Sequence, residues 1–194
     1  MEKILIVGTG GRENALGWHL SQDNEVSEVF YVSQNESFNR IEDFMIREKI
    51  DLTIVGSEEL LSDGIVDFFN SRGIHDIFGP TREMARIESD KFYSYDLMEK
   101  LGIPQARSVK CSTKYEILEA IKKFEQPVLK YRWLAKGKGV RVYSSRKEAK
   151  EDLEDFVKSF GKDVLVAERL HGREFSVFGI ADGKNVLPFE IAFQ

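Results

Sequence analysis

The sequence predicts an α/β protein in which a parallel sheet covered by helices is followed by a smaller α+β unit, and three observations carry that prediction. Short apolar runs alternate with helical stripes from Ile4 to Phe78, the pattern of strands buried on both faces and joined by right-handed crossovers. A glycine-rich turn, Gly8-Thr9-Gly10-Gly11, follows the first apolar run directly. Beyond Pro104 the pattern changes to shorter strand-like pieces with hairpin turns, which suits antiparallel pairing. Two domains are expected, 1–103 and 104–194.

Composition narrows the function. With 28 Lys and Arg against 33 Asp and Glu, the formal net charge is −5, so neither nucleic acid nor an anionic membrane is expected as a partner and any cationic site must be local. A single cysteine, Cys111, excludes an intrachain disulfide framework and a thiolate zinc site, and reads as a strand-edge residue. His19, His75 and His171 lack metal-binding spacing. Met1-Glu2-Lys3 runs straight into a strand rather than a signal-peptide core, and a cytoplasmic protein is expected.

Taken in order, Ile4 to Val7 is the first strand, and the helix after Gly8 to Glu13 has Ala15, Leu16 and Leu20 on its apolar side. The turn should aim free N–H groups at an anion over the strand end. A dinucleotide fingerprint requires glycine where Glu13 stands, so a simpler phosphate is expected. Val29 to Val32 is the second strand, and Phe38, Ile41, Phe44 and Met45 mark a helix. Asp51 to Val55 is the third strand, and Gly56-Ser57-Glu58 leads into one amphipathic helix from Leu60 through Phe69. Ile77-Phe78 is a fourth strand, Thr81 caps Arg82 to Ile87, and Ser89 or Asp90 caps a further helix through Leu101. Lys91 lies in the first turn of that helix, where a cation opposes the helix dipole; an anionic ligand or a solvated ion pair would account for it.

In the second unit, Ser108 to Lys110 reads as a strand, Thr113 to Phe124 and Arg146 to Phe160 as helices, and Val164 to Ala167 as an apolar strand. Phe175 to Ile180 and Val186 to Phe193 read as a hairpin around Asp182-Gly183. The chemistry is expected in Pro127 to Tyr143, PVLKYRWLAKGKGVRVY. Here a strand ending in Lys130 is joined by Lys136, Gly137, Lys138 and Gly139 to a returning strand. Glycines let the loop approach a ligand, and two ammonium groups with open N–H groups suit a polyphosphate, with the loop from Trp133 to Gly139 acting as a mobile lid.

With these residues in place, the chain resembles the phosphoribosylamine-glycine ligase (glycinamide ribonucleotide synthetase) family of ATP-grasp enzymes. VGTGGRENAL, DLTIVGSEELLSDGIVD, IFGPTREMARIESDK, GIPQA, VLKYRWLAKGKGV and VAERLHGREFSV match its motifs in order over essentially the whole chain. The resemblance implies a Rossmann-like pre-ATP-grasp domain with a parallel sheet. After it would come the α+β small ATP-grasp subdomain, about 112–174, and the first strands of an incomplete large ATP-grasp subdomain. It implies that Lys91, Lys130, Gly137, Lys138 and Gly139 hold the ATP phosphates, that Glu168, Arg169 and Leu170 meet adenine, and that Glu174 takes the ribose hydroxyls. Gly8, Gly10, Gly11, Arg12, Glu13 and Glu58 would bind phosphoribosylamine. The implied reaction joins glycine to that amine through a glycyl phosphate, with ATP and Mg²⁺.

Asn14, Ser57, Arg132-Trp133 and Ala167 stand where the family has His, Pro, Asp-Gly and Glu. The Mg²⁺ ligands are expected beyond Gln194, so that these 194 residues alone are inactive and self-associate or join a C-terminal partner chain. A non-catalytic nucleotide- or partner-binding protein and a different ATP-grasp ligase are the alternatives.

Overall fold

A computed structural model describes residues 1–189 and the backbone of Ala192 and Phe193. Four parallel strands, β1 (Glu2–Val7), β2 (Val26–Val32), β3 (Leu52–Val55) and β4 (Ile77–Phe78), form the first sheet in the order β2-β1-β3-β4. Central β1 is sandwiched, and Ile4 to Val7 are all nearly inaccessible, as a continuous apolar run requires. The strand order reverses between β1 and β3, so Gly8 and Gly56 emerge side by side at their carboxyl ends, where open sheets of this kind make their clefts.

Helices α1 (Gly11–Leu20) and α2 (Phe38–Glu48) connect the first three strands. On α2 the expected stripe holds, with Ile41 and Met45 buried. On α1 the packed face differs from the expected one. Glu13 and Gly17 are buried while Ala15 and Leu16 are exposed, because Gly17 lies against the Tyr31 hydroxyl and Ile6, where any side chain would collide. The single helix expected from Leu60 to Phe69 is two, α3 (Glu58–Asp63) and α4 (Ile65–Asn70). Gly64 between them takes φ 86° and caps α3 in the left-handed conformation. Helices α5 (Arg82–Ser89) and α6 (Lys91–Lys100) follow, with Thr81 and Asp90 as their caps.

The second sheet is antiparallel, in the order β5-β8-β6-β7, from β5 (Ser108–Cys111), β6 (Pro127–Tyr131), β7 (Val140–Val142) and β8 (Val164–Glu168). Helices α7 (Lys114–Ile121) and α8 (Arg146–Phe160) cover one face and bury Ile117, Ile121, Leu153 and Phe156. Cys111 closes edge strand β5 with its side chain in this core, 1% exposed, and burial pushes its thiol up to about 12. The expected C-terminal hairpin is stepped: β9 (Phe175–Ser176) pairs with β12 (Ala192–Phe193), and β10 (Gly179–Ala181) with β11 (Val186–Pro188). Among the described residues no helix is long and apolar enough to cross a membrane.

Candidate functional site

A cleft of about 620 Å³ lies between the carboxyl ends of β1 and β3 and the loop joining β6 to β7. Of the residues singled out in the sequence, it brings together Gly8, Gly10, Arg12, Glu13, Glu58, Lys91, Gly137 and Gly139, and adds Gln34, Glu59 and Glu88.

One wall is built around Glu13. This side chain, in the first turn of α1, is 8% exposed and fills the space between three glycines. A methyl on Gly56 would lie 2.4 Å from its Oε1, one on Gly10 2.5 Å from its Oε2, and one on Gly8 2.7 Å from its Cγ. Glycine at these positions is therefore a matter of room for a carboxylate, and at Gly8 also of backbone freedom, with φ 136°. The Glu13 carboxylate thus occupies the concave side of the turn at Gly8, Gly10 and Gly56. Gly11 is different, since a methyl there would meet nothing within 4 Å, and the start of α1 stays open to a ligand. Beside it Arg12 Nη1 donates to Glu58 Oε1 at 2.8 Å, which holds the Glu58 carboxyl below its usual range. Both partners are well exposed, so an incoming anion competes with a weak pair. Ser57 positions Glu58 by capping α3, accepting from Leu60 N at 3.4 Å.

The floor of the cleft is Lys91, held by a clamp between two stretches of chain. Arg132 donates through Nε and Nη2 to the two Asp90 oxygens at 2.8 and 2.7 Å, and its guanidinium stacks on Phe92 and Trp133. Asp90 is 3% exposed and also caps α6, accepting from Phe92 N and Tyr93 N at 3.1 and 3.3 Å; Arg132 holds its carboxyl below the usual carboxylate range. The Lys91 N–H donates to Arg132 O at 3.0 Å, and Lys91 Nζ donates to the Trp133 carbonyl at 3.3 Å. Burial lowers the Lys91 pKa, with repulsion from Lys130 acting the same way while Glu88 and Asp90 oppose it. A half-buried ammonium with one carbonyl partner retains donors for an anion. The clamp escaped the sequence reading, although Asp90 was legible as a cap and Arg132 as an unusual residue; their pairing spans 42 positions, and no local pattern reports it.

The loop above Lys91 is shaped by Lys136 and Gly137, at φ 50° and 78°. Gly139 accepts from Tyr131 N at 2.7 Å, and Lys138 N donates to Ala135 O at 2.9 Å. Lys136 Nζ reaches across to Glu59 Oε1 at 3.2 Å, joining the two walls through an exposed pair. Lys138 is exposed and outside the cleft lining, and Lys130, half-buried on β6, stands behind Lys91.

The remaining predicted residues lie at the other end of the second sheet. Glu168 closes β8, and both of its oxygens are taken by Arg107, which donates from its backbone N at 2.8 Å and from Nε at 2.7 Å. Arg169 N donates to Gln126 O at 3.2 Å. Leu170 is 67% exposed, and Glu174 is exposed. None of the four lines the cleft.

Against known families, residues 2–88 match the model of the phosphoribosylglycinamide synthetase N domain, and residues 89–194 match that of its ATP-grasp (A) domain. The phosphoribosylamine–glycine ligase of Fusobacterium nucleatum is 42% identical over 96% of this chain and 48% of its own length. That of Clostridium acetobutylicum is 36% identical over 96% and 50%. The chain thus spans about half the length of the curated relatives it matches. Among solved structures, Thermotoga maritima phosphoribosylamine–glycine ligase superposes with a TM-score of 0.76 at 27% identity, covering 97% of this chain and 49% of that one. The N5-carboxyaminoimidazole synthetase of Staphylococcus aureus, complexed with ADP, reaches 0.76 at 13% identity, over 98% of this chain and 54% of its own, a likeness of fold alone. With both family models matched end to end and the cleft lying between the segments they cover, the chain belongs to the phosphoribosylglycinamide synthetase family.

Proposed function

We propose that the chain supplies the nucleotide-phosphate and amine-substrate half of a phosphoribosylamine–glycine ligase, which joins glycine to 5-phosphoribosylamine with conversion of ATP to ADP and phosphate. The observation that carries this reading is the cleft itself, in which a half-buried lysine and a glycine-lysine loop face a glycine-rich strand end. Lys91, Lys130 and the N–H groups of 137–139 hold the ATP phosphates, whose negative charge the two ammonium groups match. Gly11 and Arg12 receive the phosphate of phosphoribosylamine at the open start of α1. Glu168 to Leu170 and Glu174 form the adenine and ribose end. On this reading the pre-ATP-grasp domain is 1–103 and the ATP-grasp domain 104–194, whereas the two family models meet at 88–89.

ATP fits the residues present, since they combine a cleft of suitable size with convergent cations. Mg²⁺ does not: among the described residues no three His, Cys, Asp or Glu side chains gather as a metal site. No step is therefore derived through the metal. The exposed apolar side chains Phe175, Val177, Phe178, Val186, Leu187 and Phe189 form the face on which the other half of the ligase fold packs, as the doubled length of the relatives suggests.

The test is calorimetric titration of the chain with ATP and Mg²⁺, repeated with Lys130→Ala. Binding weakened about tenfold or more in the variant is the expected result, from the loss of one charge-assisted contact. Equal affinity in both proteins, or no binding in either, contradicts the assignment.

A further inference from the structure

The loop between β6 and β7 carries two lysines, and the fold treats them differently. Lys136 lines the cleft, whereas Lys138, the one that the family resemblance implies for phosphate, is exposed and outside the lining. The backbone at Lys136 is also held in a costly conformation. Its φ of 50° lies in the left-handed region, where a side chain other than glycine's costs free energy. Among the described residues Lys49 alone shares that feature, and it closes α2 as a left-handed cap. Lys136 closes no helix, and its conformation serves only the path of the loop over the cleft. The space beside it is open, since a methyl on Gly137 would meet nothing within 4 Å.

The Lys136 side chain has a partner, but a weak one. Its Nζ lies 3.2 Å from Glu59 Oε1, with both side chains at least half exposed, so the pair contributes little and gives way to a stronger partner. The neighbouring Glu58 holds Arg12 in the same manner at 2.8 Å. The first turn of α3 therefore carries two adjacent carboxylates, each holding a cation from a different wall of the cleft, Arg12 from α1 and Lys136 from the loop. Lys91 is the fixed counterpart. Its ammonium is tied to the Trp133 carbonyl, three residues before Lys136, so the loop runs from a half-buried cation at its base to an exposed one further out. An anion with several charged groups can engage both. We infer that Lys136, and not Lys138, is the loop cation that grips a polyphosphate lying over Lys91, and that Glu59 holds the Lys136 ammonium until the anion displaces it. This deepens the phosphate reading proposed above and rests on it, since it names the charge that the loop contributes.

The experiment titrates inorganic triphosphate calorimetrically into the wild-type chain, Lys136→Gln, Lys138→Gln, Glu59→Gln and the double variant Glu59→Gln with Lys136→Gln. It is run at about 0.15 M salt, where exposed charges more than about 8 Å apart are largely screened, with thermal unfolding as a check on folding. Lys136→Gln should weaken binding about fivefold or more, the scale of one charge-assisted contact at an exposed position, and clearly more than Lys138→Gln does. Glu59→Gln should tighten binding about twofold to fivefold, because the ammonium no longer has to leave a partner. That gain should vanish when Lys136→Gln is already present, since a coupling of this kind needs both residues, whereas the plain effect of removing a negative charge would persist. A cost from Lys138→Gln equal to or above that from Lys136→Gln, or a Glu59→Gln gain that is absent or is the same in both backgrounds, overturns the inference and leaves the cleft as a phosphate site. Failure of the wild type to bind triphosphate overturns both.

Discussion

The two ends of the proposed nucleotide path are built in opposite ways. At the proposed phosphate end, Lys91 is fixed by a clamp in which Asp90 is 3% exposed and bound on both oxygens. At the proposed adenine end, Glu168 is tied to Arg107 at the surface, and Leu170 is 67% exposed. Phosphate recognition depends on fixed charge, and a misplaced ammonium loses much of its value. Under the proposed function, adenine recognition through backbone groups and an apolar cover requires a second surface, for which the exposed apolar side chains from Phe175 to Phe189 are available. The difference teaches that, on the proposed function, the lysine of the phosphate end is fixed by contacts within these residues, whereas the residues of the base end lie open at the surface.

The largest effect that would break this comparison is loss of the clamp. Arg132→Ala leaves the Asp90 carboxylate buried without its partner and should cost about 3 kcal/mol of stability, read from urea denaturation. Arg107→Ala, which removes the corresponding pair at the adenine end, should barely move the urea midpoint, because that arginine lies on the surface. A second contrast concerns affinity. Lys91→Ala should weaken binding of inorganic triphosphate about tenfold, whereas Leu170→Ala should leave it unchanged within error; isothermal titration distinguishes them.

The comparison sharpens with pH. Arg132 depresses the Asp90 pKa in the folded state, so the clamp contributes stability above the unfolded value of about 4 and loses it as pH falls through the folded value. The stability difference between wild type and Arg132→Ala should therefore be full at neutral pH and shrink on acidification below about 4. The smallest effect concerns Cys111, in the core that supports the adenine end. With its thiol pushed up to about 12 by burial, it should react with a disulfide reagent at neutral pH far more slowly in the native protein than in urea. Rapid native labelling would mean that the openness of this end extends into its core.

How far the sequence foretold this arrangement depends on whether the cause was local. Strands β1, β3 and β8 and the caps Thr81 and Asp90 follow from runs and spacings within a few residues, and the structure has them where they were expected. The break at Gly64 was hidden by an apolar stripe that continues through it from Leu60 to Phe69. The packed face of α1 was misjudged because Tyr31 on the next strand, and not helical periodicity, selects Gly17 as the contact. In the site, the glycine-rich turn and the lysine-glycine loop were singled out in the sequence, and both line the cleft. What was not legible was that Gly56, forty-three positions away, completes the space for Glu13, or that Arg132 reaches Asp90. Both are products of strand order, which places distant residues side by side without leaving a mark in either segment.

The central claim is that these residues grip a triphosphate by its charge and the base hardly at all. Calorimetric titration of the chain with inorganic triphosphate, ATP and adenosine, each with Mg²⁺, tests it most directly. The account predicts that triphosphate and ATP bind with affinities within about tenfold of each other, a difference of about 1.4 kcal/mol, while adenosine shows no measurable binding. Adenosine binding as tightly as ATP, with triphosphate failing to bind, would contradict it.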